Sequence, residues 1–130
     1  MRHEAFRRAV EDHDLHRIAA SLAEDVVLYS PGTNRPFHGR ETVATLVNAA
    51  RGVLREFVYT DELLGEGMAG LVFRAKVGGK RAEGVDIVRL DRAGLVTDLT
   101  VMIRPLSATI AFTAAMATHA AALAGESGTP

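Results

Sequence analysis

Between Leu54 and Arg104 the chain alternates apolar with polar residues, and three turn signals interrupt it: Gly65-Glu66-Gly67, Gly78-Gly79 and Asp91-Arg92-Ala93-Gly94. Alternation with period two sends successive side chains to opposite faces of a strand, so this stretch reads as a four-stranded antiparallel meander. Each turn also implies a register. A two-residue Gly78-Gly79 loop pairs Val77 with Lys80, which sets Leu71 opposite Asp86 and Phe73 opposite Gly84. Closing the first hairpin on Leu64 and Met68 sets Asp61 opposite Leu71, and closing the last on Leu90 and Leu95 sets Asp86 opposite Leu99.

One face shared by the four strands then carries Phe57, Tyr59, Asp61 and Leu63; Ala69, Leu71, Phe73 and Ala75; Ala82, Gly84, Asp86, Val88 and Leu90; and Leu95, Thr97, Leu99, Val101 and Ile103. It is apolar apart from two carboxylates, a phenol and a threonine. The other face mixes Glu56, Thr60, Glu62, Arg74, Lys76, Glu83, Arg89, Asp98 and Arg104 with Val85, Ile87 and Met102, so it meets water or another subunit. A diagonal surface ion pair between Arg89 and Asp98 is expected there.

Helices must cover the apolar face. Phe6, Ala9 and Val10, then Leu15, Ile18, Ala19 and Leu22, recur at helical spacing, with Asp14 placed as an N-cap between the two runs. Val26–Ser30 reads as a strand closed by Pro31-Gly32, and a third helix starts near Arg40 with Val43, Leu46 and Val47 on its buried stripe. The last helix has two apolar sides, Leu106 and Ile110 on one and Phe112, Met116 and Leu123 with His119 on the other. Both sides need a cover, which implies a second subunit or a pocket and makes a homodimer the expected assembly. The fold class is α+β: a curved antiparallel sheet packed against three helices of the N-terminal half, with a C-terminal helix, forming a cone around an internal pocket. Residues 1–124 are expected to form a single domain, and 125–130, small and polar, a flexible tail.

Composition narrows the function classes. The formal net charge is −1, with basic and acidic residues interspersed, so no nucleic-acid partner and no anionic membrane surface is expected. The absence of cysteine excludes disulfides and thiolate chemistry. The segment MRHEAFRRAVEDHD lacks an apolar core, which makes the cytoplasm the expected location, and the alanine-rich Leu106–Leu123 reads as a soluble helix rather than a membrane span. The cluster Glu11, Asp12, His13, Asp14 and His16 raises a metal question, but it straddles a helix junction and has no HExxH spacing, so no metal is expected. Gly78-Gly79-Lys80 is a hairpin turn, because Arg74 stands at the first glycine position of a phosphate loop. No Gly-x-Ser-x-Gly elbow occurs.

The order helix, helix, short strand, loop, helix and long meander, with an acid on the inner face, resembles the nuclear transport factor 2 superfamily, and most closely its SnoaL-like branch. The carrying segments are LAEDVVLYSPGTNRPFHGRETV (Leu22–Val43) and EGVDIVRLDRAGLVTDLTVMIRP (Glu83–Pro105). The resemblance implies a pocket between sheet and helices, and enzymes that use one buried Asp or His as acid/base with no cofactor. Asp86 matches the aspartate of the epoxide-hydrolase branch. That branch has an arginine two residues earlier, where this chain has Gly84, and another acid where the last strand has Leu99 and Val101, so the chain departs from its chemistry.

Asp86 is the candidate catalytic residue, because a carboxylate among apolar neighbours has its ionised form disfavoured and its pKa raised towards neutrality. The plain alternative is an acid tied to a buried donor. The expected pocket comprises Tyr29, His38, Phe57, Tyr59, Asp61, Leu71, Phe73, Gly84, Val88, Leu99 and Val101. Gly84 leaves room for a ligand ring or a large neighbour, and Tyr59 or Tyr29 could hold a substrate oxygen. The expected function is cofactor-independent cyclisation, isomerisation or dehydration of a hydrophobic, carbonyl-bearing small molecule. A non-catalytic ligand-binding or dimerisation module and a protein-interaction adaptor remain the alternatives.

Overall fold

The structure is a computed structural model describing residues 2–126. Its elements are α1 (His3–Glu11), α2 (Leu15–Ala20), β1 (Leu22–Tyr29), β2 (Phe37–His38), α3 (Arg40–Val53), β3 (Arg55–Gly65), β4 (Met68–Val77), β5 (Lys80–Leu90), β6 (Val96–Arg104) and α4 (Leu106–Glu126). The strands form one curved, unclosed sheet in the order β2-β1-β6-β5-β4-β3.

The helices form where the apolar spacing places them except at the end of α2, which stops at Ala20: Leu22, read as the last residue of its stripe, instead opens β1 four residues before the strand expected at Val26. Phe6, Ala9 and Val10 are the buried stripe of α1, and Val43, Ala44, Leu46 and Val47 that of α3. Asp14 caps α2 by accepting a hydrogen bond from the Arg17 backbone N–H at 3.1 Å, a cap that stabilises a helix start by about 1 kcal/mol. These helices lie on the concave face of the sheet and close a core whose largest fully buried side chains include Phe6, Ile18, Leu22, Phe73 and Leu99.

The sheet departs from a wholly antiparallel one at β1, which runs parallel to β6 through Val27↔Asp98, Leu28↔Leu99 and Tyr29↔Thr100. Three reversals in the meander return the chain to the end where β1 begins, and the Val96 N–H bonds the Ser21 carbonyl there.

The central hairpin has the register its turn implies: Val77↔Lys80, Phe73↔Gly84 and Leu71↔Asp86. Gly78 and Gly79 both have positive φ, 55° and 74°, which a two-residue hairpin turn with the twist of its strands requires. The flanking hairpins differ from expectation. β3 and β4 close on Gly65↔Met68 around Glu66-Gly67, so Glu62, not Asp61, lies opposite Leu71. A register shift between Tyr59 and Asp61 absorbs the extra residue and restores Tyr59↔Phe73. At the other side Asp86 faces Val101 and Val88 faces Leu99. A shift between Arg89 and Leu90 then turns Val96 into the core in place of Leu95 and Thr97. Arg89 and Asp98 are direct cross-strand partners with no ion pair between them; Arg89 Nη1 approaches the Met68 sulphur at 3.8 Å instead.

On α4, Ala108, Phe112 and Met116 are buried, whereas Leu106 and Ile110 are 74% and 61% exposed. His119 is exposed, and the Leu123 side chain lies outside the described residues. The helix runs two residues past the domain boundary expected at 124, and the remainder of the expected tail lies outside the described residues.

Candidate active site

A cavity of about 250 Å³ lies between the sheet and the helices. Phe57, Phe73, Asp86, Leu99 and Val101 form its sheet wall. Phe6 and Val10 of α1, and Leu46, Val47, Ala50 and Arg51 of α3, form a second wall. Leu28, Phe37 and the loop residues Ser30, Pro31 and Thr33 close it from the β1 side, and Phe112, Thr113, Met116 and Ala117 from α4. Thr33 and Ala117 are exposed, so this end reaches the surface.

The lining is apolar except at five side chains, and four of those have other engagements. Arg51 Nε donates to the Val10 carbonyl at 3.0 Å, and its guanidinium lies 5.0 Å from the Phe57 ring centroid. The Thr113 hydroxyl donates to the Thr109 carbonyl at 2.8 Å, Thr33 Oγ1 accepts from the Arg35 N–H at 3.2 Å, and Ser30 Oγ points at the Pro31 carbonyl at 3.5 Å. The fifth is Asp86, the one carboxylate lining the cavity among the described residues.

Asp86 owes its place to the Gly-Gly turn, which fixes the alternation of β5 so that Ala82, Gly84, Asp86 and Val88 all point inwards. It is 7% exposed. The Tyr59 hydroxyl donates to its Oδ2 at 2.6 Å, leaving Oδ1 without a hydrogen-bond partner among the described residues. Burial pushes the carboxyl from its ordinary 3.8 up to about 7, with the Tyr59 hydrogen bond pulling the other way. Tyr59 is pushed well above its ordinary value, first by its own burial and then by the negative charge of Asp86. A carboxyl poised in this way exchanges a proton near neutral pH, the range in which general acid/base catalysis is most effective.

Phe57, Tyr59 and Phe73 build an aromatic wall beside Asp86. Phe57 stacks on Phe73 at 4.9 Å between centroids and meets Tyr59 edge to face at 4.8 Å. The notch at Gly84 is filled by Phe73 rather than by open space: a Cβ there would run into the Phe73 ring and stand 2.5 Å from the Met102 carbonyl oxygen. Of the two occupants foreseen at that notch, the large neighbour is the one present.

The remaining expected pocket residues lie elsewhere. Leu71 and Val88 are fully buried on the inner face but belong to the packed core beside the cavity. Tyr59 reaches the site only through its hydroxyl on Asp86. Tyr29 is 45% exposed, because its side chain alternates with Leu28, which takes the cavity side. His38 is exposed for the same reason, with Phe37 turned inwards. The β3 register shift carries Asp61 out to solvent and brings Glu62 in. Glu62 accepts from Arg7 Nη1 at 2.6 Å and lies 3.1 Å from His3 Nε2, and the Arg7 hydrogen bond holds its carboxyl below the usual range.

Sequence reasoning did not assign the helical half of the cavity. Phe6, Val10, Leu46 and Val47 stood out as helix stripes and Phe112 and Met116 as one side of the last helix, but their convergence on Asp86 is a property of the assembled fold. Among the described residues no group of three or more His, Asp or Glu side chains could hold a metal ion. No helix among them is long and apolar enough to cross a membrane.

Residues 3–99 match the model of the SnoaL-like domain. Among solved structures, a protein with a cystatin-like fold from Silicibacter pomeroyi is 31% identical with a TM-score of 0.87, the match covering 91% of this chain and 84% of that one. A steroid delta-isomerase from Pseudomonas aeruginosa is 27% identical, also with a TM-score of 0.87, covering 95% of this chain and 92% of that one. A putative ketosteroid isomerase from Kribbella flavida, 21% identical with a TM-score of 0.67 over 80% of this chain and 76% of that one, shares the fold alone. No curated protein matches the chain. With its helical start, most of its meander and most of its cavity wall inside the matched segment, the chain belongs to the SnoaL-like domain family of the nuclear transport factor 2 superfamily.

Proposed function

We propose that the protein is a cofactor-independent acid/base enzyme that moves a proton on a hydrophobic, carbonyl-bearing small molecule, with isomerisation as its leading reaction. The observation that carries this reading is Asp86: a carboxyl with one oxygen free, buried in an apolar cavity, where burial pushes it up to about 7. Its ionised form takes a proton from a carbon next to the carbonyl. The C–H bond breaks, its electron pair passes to the carbonyl oxygen as an enolate, and the protonated Asp86 returns the proton to another carbon of the conjugated system. In a dehydration the same proton would leave with a hydroxyl group as water.

Tyr59 holds Asp86 rather than the substrate oxygen, and Tyr29 drops out of the mechanism because it lies outside the cavity. The similarity to a steroid delta-isomerase supports the reaction class, since such a reaction moves a proton on a hydrophobic ketone. The cysteine-free sequence fits action in the reducing cytoplasm, and we take two copies of the chain as the working unit.

The test is deuterium exchange. Incubated in D2O with a panel of cyclic enones, the protein is expected to label the carbon adjacent to the carbonyl, and Asp86→Asn to lose that labelling. Saturable enone binding without labelling would instead favour the non-catalytic binding module, a reading suited to a lining whose other polar groups are engaged. An adaptor with no ligand is disfavoured by the volume of open space beside Asp86.

A further inference from the structure

The β3 register shift that exposes Asp61 has a counterpart inside. It points Glu62 at α1, where it grips Arg7 at 2.6 Å and meets His3, a residue only 2% exposed. So held, the Arg7 guanidinium lies over the Tyr59 ring, 5.4 Å from its centroid. The hydroxyl of that ring is the one bonded to Asp86. Arg7, Glu62 and His3 are outside the cavity lining, so the substrate does not reach them.

We propose that Arg7 is a positioning residue for Asp86: clamped by Glu62, its cation lies on the face of Tyr59 and strengthens the hydrogen bond that the phenol donates to the carboxylate. A cation over an aromatic face stabilises negative charge developing on that ring system, so the phenol is a better donor with Arg7 present. A better donor stabilises the ionised carboxylate. Arg7 thereby offsets part of the burial that drives Asp86 upwards and keeps enough of it ionised at neutral pH to act as a base. Other charged or titratable groups surround the pair. Glu11 on α1 acts on Tyr59 in the opposite sense to Arg7, Glu62 on β3 and His3 on α1 flank Arg7, and Arg51 on α3 sits over the neighbouring Phe57. The ordinary structural explanation of the Arg7–Glu62 pair, a tie between α1 and β3, requires no effect on Asp86.

The inference rests on the reading of Asp86 as the acid/base group, and the experiment separates the two. The Asp86 carboxyl is titrated by ¹³C NMR in the wild type, Arg7→Met, Arg7→Lys, Tyr59→Phe and the Arg7→Met/Tyr59→Phe double variant. Arg7→Met is expected to raise the Asp86 pKa by roughly half a pH unit, and Arg7→Lys to restore most of the wild-type value. Adding Arg7→Met to Tyr59→Phe is expected to change nothing further, because the hydroxyl through which Arg7 acts is gone. An unmoved Asp86 in Arg7→Met overturns the inference and leaves the acid/base reading standing. A shift of equal size in the Tyr59→Phe background also overturns it, since Arg7 would then act on Asp86 directly. A wild-type Asp86 titrating near 4 overturns both. Arg7→Lys keeps the test decisive if Arg7→Met does not fold: a Lys variant that folds with Asp86 raised as far as in Tyr59→Phe refutes a role for the charge.

Discussion

Replacing Asp86 by Asn should make the protein more stable at alkaline pH and leave it no more stable at acid pH. In the unfolded chain the carboxyl releases its proton near 3.8, whereas in the folded protein it holds the proton to about 7. Between those values the native state binds the extra proton, so wild-type stability falls as pH rises, by up to about 1.4 kcal/mol per pH unit. Across the whole window the loss approaches about 4 kcal/mol. Asparagine does not titrate, and its oxygen can still accept from Tyr59. Its amide arrives without an acceptor, a pH-independent cost of about 1 to 2 kcal/mol. The two effects leave the variant behind below about pH 4 and ahead by about 2 kcal/mol or more at pH 8. Urea denaturation of both proteins across that range measures the difference directly. Pairs such as Arg7–Glu62 titrate alike in the two proteins and cancel. A stability difference that stays flat with pH would refute the claim that burial raises this carboxyl.

Three further outcomes follow from the geometry. Gly84→Ala drives a methyl group into the Phe73 ring and the Met102 carbonyl, and since that backbone is fixed by the ladder the variant should lose about 1 to 3 kcal/mol in urea denaturation. Val101→Phe puts a ring into open cavity volume; it should cost under about 1.5 kcal/mol yet abolish binding of an apolar fluorescent probe that the wild type takes up. Val58 and Met102 are each 52% exposed on the outer face of the sheet, so sedimentation should show a dimer that Met102→Glu weakens; a wild-type monomer at every concentration would refute the pairing.

Much of this fold is legible from turn chemistry. Gly78-Gly79 admits one tight hairpin, so the β4–β5 register and the inward aim of Asp86 can be read from the chain, as can the Asp14 cap and the stripes of α1 and α3. The two flanking registers cannot. A bulge adds one residue to one strand and leaves the alternation on either side intact, so nothing in the pattern marks the shifts at Tyr59/Asp61 and Arg89/Leu90. That single extra residue exchanged Asp61 for Glu62 at the inner face and created the Arg7 clamp. Tyr29, at the last position of β1, and His38, in the two-residue edge strand β2, face outwards because Leu28 and Phe37 take the cavity side, and so short a β1–β2 ladder gives the sequence no alternation long enough to show which. Phe73 beside Gly84 shows a different limit: a missing side chain signals a close approach, but not which neighbour approaches.

The pH dependence of deuterium exchange into a bound enone probes Asp86 most directly. The wild-type rate should rise through a single ionisation near pH 7 and level off above it, with that step absent in Asp86→Asn. An exchange rate indifferent to pH between about 5 and 9, or one that survives in the Asn variant, would place the proton transfer on some other group.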